Sequence, residues 1–280
     1  MNKLSTEQRV RVVSNLVEGV GVNATTRLSG VAKNTVLKLL HDLGTACEDY
    51  QRKHVRDLTC QRVQCDEIWQ FCYSKAKNVP EKYRGVFGFG DVWTWVGIDA
   101  DTKLIVAWHI GTRDADAATV FMRRISSRVA NRIQLTTDGH AAYLIAVDRA
   151  FGWAFRENMI DYAMLIKLYG KGPEGPETRY SPAVCLGTKR DVIRGNPDPK
   201  HISTSFVERQ NLSMRMHMRR YTRLTNAHSK KLENHRYATA LYFVWYNFVR
   251  IHSTLGKTPA QAAGLETRAW TLEDLIALSN

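Results

Sequence analysis

The sequence predicts a large mixed α/β domain that follows a small helical unit. Two observations predict this class of fold. Residues 5–43 repeat apolar side chains at the period of helices, whereas residues 62–71 alternate between two sets of side chains as a strand does. Beyond residue 71, further strand patterns alternate with helical patterns. A chain of 280 residues is long enough for one large domain and one small one.

The N-terminal unit, residues 1–46, is predicted to be a helix-turn-helix. Its first helix has an apolar face between Val10 and Val17 and can be capped by Ser5 or Thr6. After a short second helix, the turn Ser29-Gly30 leads into a third helix. Three short helices with a glycine-containing turn before the last one are typical of this motif.

The start of the third helix, residues 32–43, is where a helix-turn-helix reaches base edges and phosphates. The residues expected to bind DNA there are Lys33, Asn34, Thr35 and Lys38. A helical dimerisation module is the structural alternative. Residues 47–60 are polar and charged, and they are predicted to be a linker to the large domain.

The large domain, residues 61–255, is predicted to contain a mixed, five-stranded sheet flanked by helices. The turn Asp99–Thr102 joins two of the strands as a hairpin, and a later strand ends in Asp138-Gly139. The predicted strands are residues 62–71, 91–99, 103–111, 132–136 and 162–168, with a helix capped near Asp114 or Asp116 and another from 140 to 151. The pattern alone indicates a mixed α/β domain, and its order of strands and helices matches that of an RNase H-like fold, which the motifs described below favour.

Two further segments are predicted, a loop insertion and a C-terminal tail. Residues 170–203 hold five of the seven prolines, several glycines and several basic residues, which favours a loop insertion that contacts substrate or covers surface. Residues 256–280 are predicted to be a C-terminal tail.

The composition favours a nucleic-acid partner. Forty Lys and Arg against 27 Asp and Glu give a formal net charge of +13, and this excess is spread along the chain. The five cysteines include no C-x-x-C pair, so neither a disulfide framework nor a structural zinc site is indicated. No apolar run is long enough to span a bilayer and the first residues do not resemble a secretory signal, so we expect a cytoplasmic protein with no membrane partner.

Three acidic residues in three separate contexts are predicted to form one divalent-metal site. They are Asp66 in QCDEIW, Asp138 in LTTDGH and Glu208 in STSFVERQN. Two-metal phosphoryl transfer requires carboxylates on rigid elements whose ends converge, and Mg²⁺ prefers such oxygen ligands. Structural explanations remain open: an edge-strand charge for Asp66, a helix cap for Asp138 and a solvated helix residue for Glu208. Alternation places Glu67 on the opposite face of its strand from Asp66, so only one of the two is expected to face the site.

A basic surface is predicted beyond Glu208. Asn211, Arg215 and Arg219 recur at spacings of three and four, so they are expected to share a helix face with Glu208 and to follow the DNA backbone. The other residues expected to broaden this DNA-binding surface are Arg220, Arg223, Lys230 and Lys231. A solvated basic helix is the alternative.

At these motifs the chain resembles the DDE transposases of bacterial insertion sequences, members of the retroviral-integrase superfamily. QCDEIW resembles their first catalytic strand, TTDGH their second Asp and VERQN their third carboxylate, while YNFVRIHSTLGKTPAQAAG resembles their C-terminal segment. The resemblance covers about residues 60–265. It implies that Asp66, Asp138 and Glu208 are the catalytic metal ligands for two Mg²⁺ ions, with Mn²⁺ as the expected substitute.

The resemblance also implies a reaction and partners. Metal-activated water would cleave double-stranded DNA at the terminal inverted repeats of an element, and the released 3′-hydroxyl would then attack target DNA. A homo-oligomer acting on paired ends in the bacterial nucleoid is expected. Auxiliary roles are expected for His140, Asn247, Arg250 and His252, although the apolar run 238–249 is also explained as a core helix.

Two other functions remain open from the sequence. A structure-specific or RNase H-type nuclease would share the metal chemistry without strand transfer. A transposase-derived, non-catalytic DNA-binding regulator would retain the basic surface, although three intact acids argue against it.

Overall fold

A computed structural model of the chain describes residues 4–152, 160–170, 184–222 and 225–279. The helices are α1 Thr6–Val17, α2 Val22–Ser29, α3 Lys33–His54, α4 Ala115–Ser126, α5 Ala142–Phe151, α6 Ser205–His217, α7 Leu232–Val244, α8 Pro259–Ala262 and α9 Leu272–Ala277. The strands are β1 Arg62–Cys72, β2 Gly90–Asp99, β3 Ile105–Gly111, β4 Ile133–Asp138, β5 Ile160–Tyr169 and β6 Cys185–Arg194. In these residues, no helix combines the length and the apolar character that crossing a bilayer requires.

The strands form one mixed sheet in the order β3-β2-β1-β4-β5-β6. β1 pairs antiparallel with β2 and parallel with β4, and β4 pairs parallel with β5. The fold is therefore a mixed α/β sheet flanked by helices. α4 lies on the face that carries Cys65 and Gly97, whereas α6 lies on the face that carries Gln64. This layering places one helix of the candidate site directly over the middle of β1.

The sheet has six strands, so the prediction of five is wrong. The additional strand, β6, pairs antiparallel with β5 and lies inside the segment predicted as a loop insertion. Its side chains are exposed or half-buried on both faces, and Leu186 is 74% exposed. β6 therefore lacks the apolar alternation by which a half-buried strand is recognised. Its backbone hydrogen bonds with β5 hold it in the sheet. Residues 171–183 of that segment lie outside the described residues.

The three N-terminal helices pack as part of the main core. Ser5 caps α1 in a capping box with Gln8, as predicted for this helix start, and α2 ends at Gly30 in the left-handed conformation. α3 continues without a break to His54, through most of the segment predicted as a linker. It packs along α7 so closely that a Cβ on Gly44 would lie 2.3 Å from Cβ of Tyr237.

The segment predicted as a C-terminal tail folds back onto the N-terminal helices. Both α8 and α9 begin with capping boxes, at Thr258 and Thr271. The guanidinium of Arg9 in α1 donates to the carbonyl of Ile276 at 2.9 Å and to the hydroxyl of Ser279 at 2.7 Å. The two ends of the described chain are therefore held together.

Candidate active site

Three elements bring the predicted acids into one cleft. Asp66 lies in the middle of β1, and Asp138 is the last residue of its parallel neighbour β4. The register pairs Cys65 with Thr137, so each acid lies one residue beyond the same pair. Glu208 lies in the first turn of α6. All three side chains line a cleft of about 570 Å³.

A glutamine on β1 sets the position of Glu208. The side-chain oxygen of Gln64 accepts from the backbone N–H groups of Phe206 and Val207 at 2.8 and 3.3 Å. Within α6 these first-turn N–H groups have no acceptor, and Gln64 on β1 supplies one. Because Gln64 and Asp66 are two residues apart, they share a face of β1. The same strand therefore carries the first acid and anchors the helix that carries the third.

The surroundings of Asp66 favour the protonated form of its carboxyl group. Burial raises the pKa of Asp66 to about 7, and the charges of Asp138 and Glu67 add to this effect. One oxygen accepts from the backbone N–H of Glu67, and the other accepts from the side-chain amide of Asn211, both at 2.8 Å. Without a cation, a buried carboxylate in this environment holds a proton near neutral pH.

Asp138 lies at the end of its strand beside a tightly packed glycine. Burial raises the pKa of Asp138, and the backbone N–H of His140, 3.1 Å from Oδ1, partly offsets this. A Cβ on Gly139 would lie 3.2 Å from Cγ1 of Ile166, so the chain passes close to β5 here. A side chain at position 139 would therefore press against β5 beside Asp138.

Glu208 is engaged differently from the other two acids. Its Oε2 lies 2.6 Å from the ammonium nitrogen of Lys167 on β5, and its Oε1 accepts from the hydroxyl of Thr204. Lys167 also lines the cleft. The third acid therefore enters the cleft as half of an ion pair.

The carboxylate of Glu67 lies close to those of Asp66 and Asp138. Oxygen atoms of Asp66, Glu67 and Asp138 lie within 4.8 Å of one another. Alternation does place Glu67 on the other face of β1, where Tyr143 of α5 donates to it. Asp138 is the last residue of β4, so the side chain of Asp138 lies at the edge of the sheet and is within reach of both faces. Glu67 is not among the described residues that line the cleft, so Asp66 is the acid of this pair that faces it, as alternation predicts.

The donor set fits a divalent cation. Carboxylate oxygens are the ligands that Mg²⁺ and Mn²⁺ take. Burial raises the pKa of Asp66, Glu67 and Asp138, and the charge of Asp138 adds to this effect at Asp66 and Glu67. Two further polar atoms beside the acids, Oδ1 of Asn211 and Nε2 of His140, are buried without a hydrogen-bond partner among the described residues. Burial lowers the pKa of His140, so its ring is a neutral acceptor at this site.

The residues predicted to follow Glu208 along one basic face are separated in the structure. Asn211 is buried and donates to Asp66 rather than lying on the surface. Arg215 is half-buried and donates to the carbonyl of Tyr221. α6 ends at His217, so Arg219 lies in the following turn and does not continue the helix face. The expectation of one continuous stripe is therefore corrected, because a buried amide and a helix end interrupt it.

The remaining predicted DNA-binding residues fall into three groups. Lys33, Asn34, Thr35 and Lys38 are exposed at the start of α3, and Lys38 is paired with Asp42. Arg220 is turned inward, where it donates to Ser229 at 2.9 Å, and Arg223 lies outside the described residues.

A second cleft of about 640 Å³, here called the basic groove, is lined by the cations Arg27, Lys33, Arg219, Arg220, Lys230 and Lys231, and no Asp or Glu is among its described lining residues.

Of the auxiliary residues, His140 alone is among the described residues that line the acid cleft. Asn247 is fully buried, and its amide exchanges two hydrogen bonds with the backbone of Ile105 on β3, at 2.9 and 3.1 Å. The guanidinium of Arg250 stacks on Trp245, and the backbone N–H of His252 donates to Lys257. The structural explanation of the run 238–249 as a core helix therefore fits these contacts.

Comparisons with known proteins give no family, but they do give similar solved structures. No family model matches the chain, and no curated protein matches it. The chain is similar to the piggyBac transposase in a cryo-EM structure of its synaptic complex with hairpin DNA, with 10% identity, a TM-score of 0.43 and coverage of 99% of this chain and 72% of that one. It is also similar to a chain in the crystal structure of the Mos1 strand transfer complex, with 11% identity, a TM-score of 0.25 and coverage of 86% and 78%. What the site can do chemically follows from its own residues and not from either likeness.

Proposed function

We propose that the protein is a DDE transposase with an RNase H-like catalytic domain. It cleaves double-stranded DNA at the ends of an insertion sequence and transfers the 3′-hydroxyl to target DNA. The observation that carries this proposal is the convergence of Asp66, Asp138 and Glu208 from β1, β4 and α6 on one cleft. The order of these three acids and their local motifs resemble those of DDE transposases.

Mg²⁺ is the proposed cofactor, and Mn²⁺ is its expected substitute. Oxygen atoms of Asp66 and Asp138 lie within 4.8 Å of each other, and these two acids would hold the metal together with Glu208 once Lys167 is displaced from it. When bound, two Mg²⁺ ions would polarise the phosphodiester and lower the pKa of the attacking water or hydroxyl. Asn211, whose amide donates to Asp66, orients that carboxylate in the cleft.

We propose Nε2 of His140 as the proton acceptor. Nε2 of His140 is buried at the cleft without a partner among the described residues, and its pKa is lowered by burial. A neutral imidazole nitrogen of this kind accepts a proton from the attacking water or 3′-hydroxyl. The backbone N–H of the same residue donates to Asp138, so the acid and the base are held together.

DNA is the proposed partner on the basis of charge and of the N-terminal helices. The formal net charge of +13 favours a polyanion, and the exposed start of α3 carries Lys33, Asn34 and Thr35. We propose that α1–α3 act as a helix-turn-helix that binds the terminal repeats. We also propose that the basic groove contacts the DNA backbone and that the protein works on paired ends as a homo-oligomer.

The test uses the purified full chain with a DNA end and a target plasmid in Mg²⁺. A transposase produces both a cleaved end and a covalent joint between the end and the plasmid, whereas a nuclease produces only the first. Asp66→Asn, Asp138→Asn and Glu208→Gln should each lower both products by at least about a thousandfold while DNA binding remains measurable. Cleavage that persists in any of the three variants would refute the assignment, and cleavage without joining would favour a nuclease.

A further inference from the structure

An arginine that the sequence did not indicate lines the acid cleft. Arg113 lies in the short connection between β3 and α4, and its side chain is 43% exposed. Nε donates to Oε1 of Glu67 at 2.7 Å, and the guanidinium stacks over the ring of Trp93, 4.6 Å from its centroid. Two contacts on two strands therefore fix the guanidinium at the wall of the cleft.

Glu67 is occupied by contacts that do not belong to a metal ligand. Its side chain is 1% exposed. One oxygen accepts from Arg113, and the other accepts from the hydroxyl of Tyr143 at 3.2 Å. Its negative charge is therefore already matched by a guanidinium. This distinguishes Glu67 from Asp66, whose described hydrogen bonds come from a backbone N–H and a neutral amide.

The contact with Glu67 leaves the end of the guanidinium available. Arg113 reaches Glu67 through Nε, and no hydrogen bond joins its two terminal nitrogens to the described residues. Two terminal N–H groups in a plane match two oxygens of a phosphate, and a pre-oriented guanidinium loses little entropy on binding. The other cation that lines the cleft, Lys167, is already paired with Glu208.

We propose that Arg113 binds the non-bridging oxygens of the phosphodiester in this cleft, and that Glu67 is a positioning residue for Arg113 rather than a metal ligand. The inference rests on the proposed function for the identity of the anion. In this proposal the positively charged Arg113 binds the phosphate, and the negatively charged carboxylates of the same cleft bind the metal.

The first test measures DNA affinity of the full chain over a series of salt concentrations, with Ca²⁺ present to neutralise the carboxylates. One lost phosphate contact should make the slope of log K against log[salt] shallower by about 0.9. We expect this change for Arg113→Gln and an unchanged slope for Arg268→Gln, a matched control whose arginine pairs with Asp274 far from the cleft. Arg113→Lys should keep the slope but cleave at least about tenfold more slowly, because an ammonium lacks the fork. Equal slopes for Arg113→Gln and Arg268→Gln would overturn the proposal.

The second test separates positioning from metal binding. With Mn²⁺ alone as the probe, Glu67→Gln should bind within about threefold of the wild type, whereas Asp66→Asn should lose at least about tenfold. Arg113→Gln combined with Glu67→Gln should cost no more DNA affinity than Arg113→Gln alone, because both remove the same contact. A loss of Mn²⁺ affinity in Glu67→Gln as large as in Asp66→Asn would make Glu67 a metal ligand and contradict the inference.

The outcomes also separate this inference from the proposed function. Arg113 is half-exposed, so Arg113→Gln should fold even if the buried substitution Glu67→Gln does not, and its slope then decides the matter alone. A wild-type chain that binds DNA without cutting or joining it rejects the transposase, while the slopes still test Arg113. A wild-type chain that joins DNA, together with an unchanged slope in Arg113→Gln, rejects only the phosphate-binding role.

Discussion

The ammonium nitrogen of Lys167 lies 2.6 Å from Oε2 of Glu208, inside the cleft that Asp66 and Asp138 also line. This ion pair joins β5 to α6. It places a fixed positive charge among crowded acids, and the presence of Glu208 helps to raise the pKa of Lys167. Lys167 therefore competes with a divalent cation for the third carboxylate.

Lys167→Met should strengthen divalent binding. Removing the ammonium frees Glu208 and lowers the positive charge beside the acids, so Mn²⁺ affinity should rise about three- to tenfold. Titration followed by electron paramagnetic resonance measures this. Lys189→Met is the matched control, because Lys189 lies on the neighbouring strand, pairs with Asp191 and does not line the cleft. Equal Mn²⁺ affinity in the two variants would show that Lys167 does not compete with the metal.

Asp66 should make the metal-free protein less stable as pH rises. Its pKa is about 7 in the folded chain, against an ordinary value of 3.8, so the folded chain holds a proton that the unfolded chain releases between these values. The free energy of unfolding therefore falls as pH rises from 4 to 7. In EDTA at pH 8, Asp66→Asn should stabilise the chain by about 1 to 3 kcal/mol, a range that includes the loss of one accepted hydrogen bond. At pH 4 it should not stabilise it.

Thermal unfolding at the two pH values measures this effect. Mg²⁺ should raise the melting temperature of the wild type at pH 8 and leave that of Asp66→Asn nearly unchanged. A lower melting temperature of the variant at pH 8 in EDTA would show that Asp66 is ionised and stabilises the fold. The conclusion that burial and neighbouring acids disfavour its charged form would then be wrong.

Gln64 should matter for both stability and activity because it anchors the start of α6. Gln64→Leu keeps a similar volume but leaves the N–H groups of Phe206 and Val207 without their acceptor, at a cost of about 1 to 3 kcal/mol. Cleavage should fall further than this loss explains, because Glu208 is displaced. Gln134→Leu is the control, since Gln134 holds Asp198 on another loop. Equal activity in the two Leu variants would exclude this role.

Lys33 should contribute more to DNA binding than Lys38. Both are exposed on α3, but Lys38 is paired with Asp42, whereas Lys33 lines the basic groove. Lys33→Ala should weaken binding of the element ends and make the salt slope shallower by about 0.9. Lys38→Ala should have a smaller effect of the same sign. Lys257→Ala, at an exposed loop position, controls for net charge, and an equal slope change there would argue against a specific contact by α3.

Much of the fold could be predicted because its signals are local. The strand β1, the cap at Ser5 and the cap at Asp114 are indicated by neighbouring residues alone, and the structure confirms each of them. β6 could not be predicted, because an exposed edge strand depends on pairing with β5 rather than on its own pattern. α3 was expected to end near residue 43, yet contacts with α7 extend it to His54.

In the candidate site, too, local motifs could be predicted and long-range contacts could not. The contexts of Asp66, Asp138 and Glu208 are sequence motifs, so the sequence alone could single out these acids. The anchoring of Glu67 by Arg113, the contact of Asn211 with Asp66 and the capping of α6 by Gln64 all join residues far apart in the chain. No periodicity encodes such contacts, so only the folded structure reveals which polar residues support the acids.

The most direct test of the central claim maps the metal on the protein itself. Fe²⁺ bound in place of Mg²⁺ produces hydroxyl radicals in the presence of ascorbate and peroxide, and these cut the nearby backbone. If Asp66, Asp138 and Glu208 hold one metal centre, the cuts should fall near all three residues, and excess Mg²⁺ or the variant Asp66→Asn should suppress them together. Cuts near only one of the three, or cuts that persist in Asp66→Asn, would contradict a shared site.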